Sequence, residues 1–391
     1  MSHETDQHDL LEAIEAANVP ESREKTVDPK ERLFPCGQCG AKVAFEPGTD
    51  ALKCPYCQHV TPIDAIDLEI EEQDFRAELE RLAATDVVEE HATIKCTACA
   101  AEVDRPPHVD AMACPYCDHN IVATATSRKL IRPASLLPFH INRKEATTLF
   151  RTWLKSLWFA PSKLKKAAQL DSKLSGMYIP YWTYDSDTLT NYVGQRGEHY
   201  WDTERYTAIE TGKSVTRTRR VRKTRWYPAA GVVSRQFDDV LVPASHSLPD
   251  KHINALEPWD LENLIPYADD YLAGFIAESY QVELAPGFDI ARVRMEPIIR
   301  QDINRDIGGD EQRIHQMHTE HRSITYKHIL LPVWVSAYRW KNKVYRFIIN
   351  ARTGEVRGER PYSPIKIGAV ILAGLFMAGA IAVGFMMTKG G

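Results

Sequence analysis

No cysteine in this 391-residue chain stands outside a Cys-x-x-Cys pair, so none is left over as a catalytic nucleophile or for a disulfide. Neither Gly-x-Ser-x-Gly nor His-Glu-x-x-His occurs, which removes the usual serine-hydrolase elbow and zinc-protease helix. Gly212-Lys213-Ser214 looks like the end of a phosphate-binding loop. That loop needs a glycine five places earlier, where Thr207 stands, and a buried strand before it, where Tyr200 to Glu204 is polar. A nucleotide site is therefore excluded. Paired carboxylates such as Asp238-Asp239 and Asp269-Asp270 read as caps or surface charge rather than acid–base machinery. The chain shows no secretory signal, so reducing cytosol is the expected setting, with the thiols free for metal.

What is there is a repeat. Cys36, Cys39, Cys54 and Cys57 form one unit, and Cys96, Cys99, Cys114 and Cys117 repeat it 60 positions later. Fourteen residues separate the two pairs of each unit, and both second pairs read Cys-Pro-Tyr-Cys. A two-residue gap lets both sulfurs of a tight knuckle face one metal, and four thiolates suit tetrahedral Zn²⁺. Val43-Ala44-Phe45, the turn Glu46-Pro47-Gly48 and Ala51-Leu52-Lys53 suit a hairpin that returns the second knuckle, and Val103, Pro106-Pro107 and Ala111-Met112-Ala113 repeat it. Each unit resembles a zinc ribbon. Rubredoxin-like iron is the competing metal, but its usual glycine after each knuckle is met only at Gly40; Gln58, Ala100 and Asp118 stand at the other places. Two structural Zn²⁺ ions, one per four-cysteine site, are expected, with no open coordination position for catalysis. So small a unit takes most of its folding free energy from the metal.

Ile367 to Met387 is 21 residues without a charge. At 1.5 Å per residue such a helix spans about 30 Å, the thickness of a bilayer's hydrocarbon core. A buried core helix is the competing reading, but it is seldom so long and so apolar on all sides. Arg357, Arg360 and Lys366 precede the stretch and only Lys389 follows it, which keeps the N-terminal bulk in the cytoplasm. The expectation is a tail anchor: a single-pass protein of the inner (cytoplasmic) membrane with a transmembrane helix over 366–388. Gly374, Ala378 and Ala382 form a small-residue stripe that offers a route to homo-oligomers, although such residues are common in membrane helices anyway.

The rest divides into an acidic, disordered N-terminus (1–31), zinc ribbon 1 (32–63), an acidic helical linker (64–91), zinc ribbon 2 (92–124) and a main domain (129–361). The linker has eleven Asp or Glu against two Arg and an apolar stripe of Ile66, Ile70, Phe75, Leu79 and Leu82. In the main domain, helices are expected over Lys144 to Trp158, Pro258 to Tyr280 and Phe288 to about His318. Strands are expected over Gly176 to Tyr184, Thr188 to Tyr200 and Val215 to Tyr227. Ile329 to Trp340 and Lys343 to Asn350 form a hairpin about Lys341-Asn342, and a last short strand follows at Val356. The fold class is α+β with an antiparallel sheet. His315, His318 and His321 lie within a 120° arc if helical and, near Glu320 and His328, offer a second metal site; a solvated helix end is the plainer reading. The most unusual stretch holds Lys213, Arg217, Arg219, Arg220, Arg222, Lys223 and Arg225. An edge strand kept soluble by charge, contact with anionic lipid head groups and contact with nucleic acid all remain open for it.

Cys-Gly-Gln-Cys-Gly-Ala at Cys36, Cys-Pro-Tyr-Cys at Cys54, Ile179-Pro180-Tyr181-Trp182, Leu330-Leu331-Pro332-Val333-Trp334 and Ile349 to Val356 together resemble a family of bacterial zinc-ribbon membrane proteins. Its members are often labelled TFIIB-type zinc-ribbon or primosomal-helicase-like. The likeness runs from about Phe34 to Pro364, though the family often has one ribbon; the helicase label rests on the ribbon alone, since motor motifs are absent. Some members are similar to proteins found with phage-shock protein A and SPFH-domain scaffolds at stressed membranes. The resemblance implies a non-enzymatic adaptor for cytosolic or membrane-associated proteins. A membrane-tethered nucleic-acid-binding protein is the alternative.

Overall fold

The computed structural model describes residues 34–64, 69–84, 93–96, 102–104, 111–114, 120–122, 131–161, 174–210, 213–340 and 343–389. The N-terminal segment 1–31, parts of the linker, most of ribbon 2, Cys99 and Cys117 lie outside them. The described chain is α+β with antiparallel sheets.

The first ribbon is a three-stranded sheet of β1 (Ala44–Phe45), β2 (Ala51–Lys53) and β3 (Val60–Pro62), paired in that order. Gly48, at φ +81°, makes the turn that Glu46-Pro47-Gly48 implied. The acidic linker contributes β4 (Gln73–Asp74) and α1 (Phe75–Ala84), a shorter helix than its composition suggested. Two small antiparallel pairs follow where the second ribbon was expected. They are β5 (Thr93–Lys95) with β6 (Glu102–Asp104), and β7 (Ala111–Ala113) with β8 (Asn120–Val122).

Next come β9 (Ser135–Leu136) and α2 (Arg143–Ser156). A reciprocal capping box starts α2: Asn142 accepts from the Glu145 amide and Glu145 accepts from the Asn142 amide. Two very long strands, β10 (Ser175–Glu210) and β11 (Lys213–Pro243), then form one hairpin. The separate strands expected over Thr188 to Tyr200 and Val215 to Tyr227 are stretches of these two. A short helix α3 (Asp250–Asn254) and two-residue strands β12 (Ile265–Pro266) and β13 (Ile276–Ala277) follow. Pro258 to Tyr280 is thus not a helix; Pro258 and Pro266 lack the amide a helix interior needs, and Gly274 turns at φ +84°. Helix α4 (Leu284–Ile307) is real but stops at Gly308 and Gly309, both at positive φ. The chain continues as β14 (Glu311–Trp340), β15 (Lys343–Asn350), β16 (Val356–Gly358) and α5 (Pro364–Lys389). The expected hairpin about residues 341–342 is present, its first strand far longer than the pattern implied.

The main sheet runs β11-β10-β14-β15-β16. Three of the five motifs that carried the family resemblance, those at Ile179, Leu330 and Ile349, are neighbours at its centre though far apart in sequence. Ile179 faces Leu331, Tyr181 faces Ile329, and Trp334 faces Ile349. Alternation sends Met177, Ile179 and Tyr181 to one face with Leu331, Val333 and Val335, and Tyr178 to the other with Leu330, Trp334 and Ile349. Both faces are covered, so these strands read as continuous apolar runs. Farther along, Trp182, Tyr184 and Tyr192 pack under α4 and α1.

Among the described residues no helix is long and apolar enough to cross a membrane. Helix α5 runs for 26 residues. The side chains of residue 380 and of 382 onward, including Ala382 of the small-residue stripe, lie outside the described set, so the charge-free stretch is described only in part.

Candidate functional site

The first four-cysteine unit closes as its spacing implied. The sulfurs of Cys36, Cys39, Cys54 and Cys57 all lie within 4.8 Å of one another. Cys36 Sγ is 3.5 Å from Cys57 Sγ, and Cys39 Sγ is 3.5 Å from Cys54 Sγ. A Zn–S bond of about 2.3 Å sets tetrahedral sulfurs about 3.8 Å apart, so this donor set fits zinc. Each knuckle is a turn closed by two backbone bonds: Gly40 N–H to the Cys36 carbonyl with Cys36 N–H to the Ala41 carbonyl, and Gln58 N–H to the Cys54 carbonyl with Cys54 N–H to the His59 carbonyl. Gly40 (φ +70°) and Gln58 (φ +62°) occupy equivalent left-handed positions.

Amide N–H groups aimed at sulfur favour thiolate. The Cys57 amide, against burial and with help from the Tyr56 amide, brings Cys54 down to about 6, and the Cys39 and Gln38 amides lower Cys36. Cys57, despite the His59 amide, is pushed up to about 12 by burial and by the three other sulfurs. Four thiols crowded this closely do not all ionise without a cation, which is the electrostatic demand a bound metal meets.

Ribbon 1 is built into the body on one face. Phe45 packs 5.1 Å from the Tyr271 ring and 6.4 Å from Phe275. Its amide donates to the Ala273 carbonyl, and Gly48 N–H donates to Phe139. The opposite tip carries Tyr56 (79% exposed) and Val60 (50% exposed). Of the second four-cysteine set, Cys96 and Cys114 are both buried and share a core cluster with Leu137 and Met177. The second site as a whole falls outside the described residues.

The three histidines do not gather. His315, His318 and His321 lie on β14, where His315 sits at the register shift between Ile314 and Gln316; His315 and His318 are exposed, while His321 turns to the covered face against Phe288 at 5.4 Å. His328 is buried between Trp182 and Tyr280, with Nδ1 on the Ile131 carbonyl and its pKa pushed down to about 4 by burial. Sequence patterns missed another polar cluster. Glu72 beside β4, Asp185 at a bulge in β10, Asp239 and Lys327 meet across four segments. Lys327 Nζ lies 3.2 Å from Glu72 and 2.8 Å from Asp239, and Thr325 donates to both Glu72 and Asp185. Burial, then the nearby Glu72 carboxylate, pushes Asp185 up to about 6 although the Asp239 amide opposes it. The lysine already supplies this cluster's cation.

The basic stretch has a definite place. β14 accompanies β10 only as far as Gly197, paired with Glu311. Beyond it, β10 and β11 continue as a two-stranded arm, Glu198 opposite Arg225 through Glu210 opposite Lys213. Thirteen residues at about 3.3 Å each carry the arm roughly 40 Å past its last third-strand partner. Between Glu198 and Arg225 the arm has eight Lys or Arg against four Asp or Glu.

Register divides the charges between two faces, because directly opposed residues share a face. On one, Lys223 bonds Asp202 (2.7 Å) and Glu204 (3.1 Å), Arg219 bonds Glu204 (3.4 Å), and Arg219 and Arg225 sit over Tyr206 and Tyr200. Asp202, then Glu204, holds the Lys223 pKa above its ordinary value. On the other face, from Trp201 outward, the opposed pairs are Trp201 and Arg222, Thr203 and Arg220, Arg205 and Thr218, Thr207 and Thr216, Ile209 and Ser214. None is acidic. Arg220 lies 5.4 Å over the Trp201 ring, and Trp201 (60%) and Ile209 (81%) are exposed. Of the basic residues singled out by sequence, Arg217, Arg219, Lys223 and Arg225 belong to the first face, and Arg220 and Arg222 to the second.

The chain is similar to the uncharacterized protein YdjG of Bacillus subtilis, at 28% identity over 256 residues, covering 63% of this chain and 70% of that one. No protein-family model matches it. No solved structure matches it.

Proposed function

We propose that this protein is a non-enzymatic, membrane-anchored adaptor of the cytoplasmic membrane that recruits cytosolic proteins and organises them near the bilayer. The observation that carries the reading is the arm. A two-stranded ribbon extending about 40 Å beyond its body displays two chemically distinct faces, which is the construction of a binding surface. Ribbon 1 adds a second surface: its metal-clamped knuckle holds Tyr56 outward while its opposite face is packed on the body. The charge-free stretch Ile367 to Met387, with Arg357, Arg360 and Lys366 before it, supports a single transmembrane helix with the body in the cytoplasm. Two zinc ions are structural in this reading, the second held by Cys96, Cys99, Cys114 and Cys117.

The arm and the anchor lie at opposite ends of the long strands. β16, which leads into α5, pairs through β15 and β14 with the start of β10, whereas the arm is its end. Counted along β10, 23 residues lead from that start to the base of the arm at Glu198 and 35 to its tip at Glu210, roughly 75 and 115 Å of contour. That favours a cytosolic protein, rather than lipid head groups of the anchoring leaflet, as the arm's partner. The second reading, a membrane-tethered nucleic-acid-binding protein, is favoured by the arm's carboxylate-free face of Trp201, Arg205, Arg220 and Arg222, since bases stack on tryptophan and phosphates pair with arginine.

The test is capture of partners by the full chain from gently solubilised membranes, with and without nuclease. Wild type is compared with a chain whose arm is cut back to Glu198 and Arg225 and with Tyr56→Ala. Nuclease-resistant protein partners lost on shortening the arm are expected. Partners that vanish with nuclease, with binding that weakens steeply as salt rises, support the second reading instead.

A further inference from the structure

Helix α5 leaves the body from a clamped base. Ser363 N–H donates to the Phe159 carbonyl at 2.8 Å. Lys366 Nζ donates to the carbonyls of Trp158 (3.0 Å) and Ala160 (2.8 Å). These carbonyls belong to the turn that follows α2, and they give the ammonium two acceptors close to the helix's C-terminal end. Residues two hundred positions apart are thereby held side by side.

The side chains around this clamp face outward. Trp158 is 72% exposed, Phe159 37%, Tyr362 57% and Ile365 83%. Arg360 lies over the Tyr362 ring at 5.4 Å. An exposed tryptophan beside a phenylalanine, a tyrosine and an isoleucine is a costly surface to leave in water. Its composition identifies what covers it. Tryptophan and tyrosine, with an apolar body and a polar tip, are the residues that settle at the head-group level of a bilayer. Arg360 and Lys366 complement anionic head groups, and no Asp or Glu occurs from Arg360 onward. The patch also surrounds the first turn of the charge-free helix instead of lying elsewhere on the body.

We propose that Trp158, Phe159 and Tyr362, tied to α5 by Lys366, form a membrane-interface footing that seats the body on an anionic lipid surface. The proposal rests on the reading of α5 as a transmembrane anchor. It adds that the main domain itself touches lipid, through a residue far from the anchor in sequence.

The full chain is reconstituted into phosphatidylcholine–phosphatidylglycerol vesicles and floated. Tryptophan fluorescence is then read with a quencher carried on the lipid head group. Flotation with quenching in wild type, and loss of most of that quenching in Trp158→Phe, is expected. Lys366→Ala, which keeps the tryptophan and removes the clamp, is expected to reduce quenching in part. Trp201→Phe, in the arm, is expected to leave it unchanged. Failure to float overturns the anchor and the footing with it. Flotation with quenching that Trp158→Phe does not alter, or that Trp201→Phe removes, overturns the footing and leaves the anchor standing.

Discussion

Asp185 is a carboxyl group whose surroundings hold it away from its ordinary chemistry. It lies 9% exposed at a bulge in β10, close to the Glu72 carboxylate. Its pKa is raised from 3.8 to about 6, chiefly by burial. Between those values the folded chain keeps a proton that the unfolded chain has released, so stability falls as pH rises through that window. Two pH units correspond to about 3 kcal/mol, and water access at the bulge brings the expected cost nearer 1–2 kcal/mol. Glu72 shifts the other way, so its contribution is lost only below the ordinary glutamate range. Asp185→Asn keeps an acceptor for the Asp239 amide and removes the charge. It is expected to be more stable than wild type at pH 7.5 by about 1–2 kcal/mol and no more stable at pH 4, measured by urea unfolding in detergent. An equal difference at both pH values would sink this account. Nothing in the sequence announces this cluster, because residues 72, 185, 239 and 327 meet only through sheet register. The eight cysteines announced themselves, since a knuckle is made within four residues and needs no tertiary context.

Elements were legible where local chemistry and tertiary pairing agreed. The α2 helix carries both an apolar stripe and a capping box, and the hairpin about residues 341–342 sits between alternating runs. Reading failed at Gln312 to His318, where charged and histidine side chains mimic a helix face while β10 imposes a strand. Gly308-Gly309 marked the true end of α4, and both residues take positive φ. The length of β10 was hidden because its outer half is polar and is held by pairing rather than by burial. Where β10 and β14 shift register between Val193 and Gly194, a Cβ on Gly194 would lie 2.2 Å from the Arg313 carbonyl oxygen and 3.2 Å from Ile307. Backbone cannot rotate away as a side chain does. Gly194→Ala is therefore expected to cost about 2–4 kcal/mol in urea unfolding, from forced separation of the strands that root the arm. A change below about 0.5 kcal/mol would mean the strands yield freely at this bulge.

At the scale of the whole molecule, the question is whether the metal stabilises a small appendage or the body. A zinc ribbon on a flexible tether unfolds alone when its metal is removed. Here Phe45 enters the aromatic cluster of Phe139, Tyr178, Tyr271, Phe275 and Trp334, in which Phe139 and Phe275 stack at 4.0 Å. Gly274, in the left-handed region, lets the body approach so closely that a Cβ there would lie 2.8 Å from the Ala44 methyl. Loss of the ribbon would expose this cluster on the face of the central strands. Withdrawing one buried phenylalanine costs about 3–5 kcal/mol, and in a domain of this size each kcal/mol moves the melting temperature by roughly 2–4 °C. Removing the metal with a strong chelator, or replacing Cys54 with serine, is therefore expected to lower the melting temperature of the main sheet by about 6–20 °C, followed by near-ultraviolet circular dichroism of the buried aromatics. Metal added back restores the wild-type melt and leaves the serine variant low. A main-sheet melt that ignores the chelator, with the metal demonstrably gone, would return ribbon 1 to the status of a tethered module.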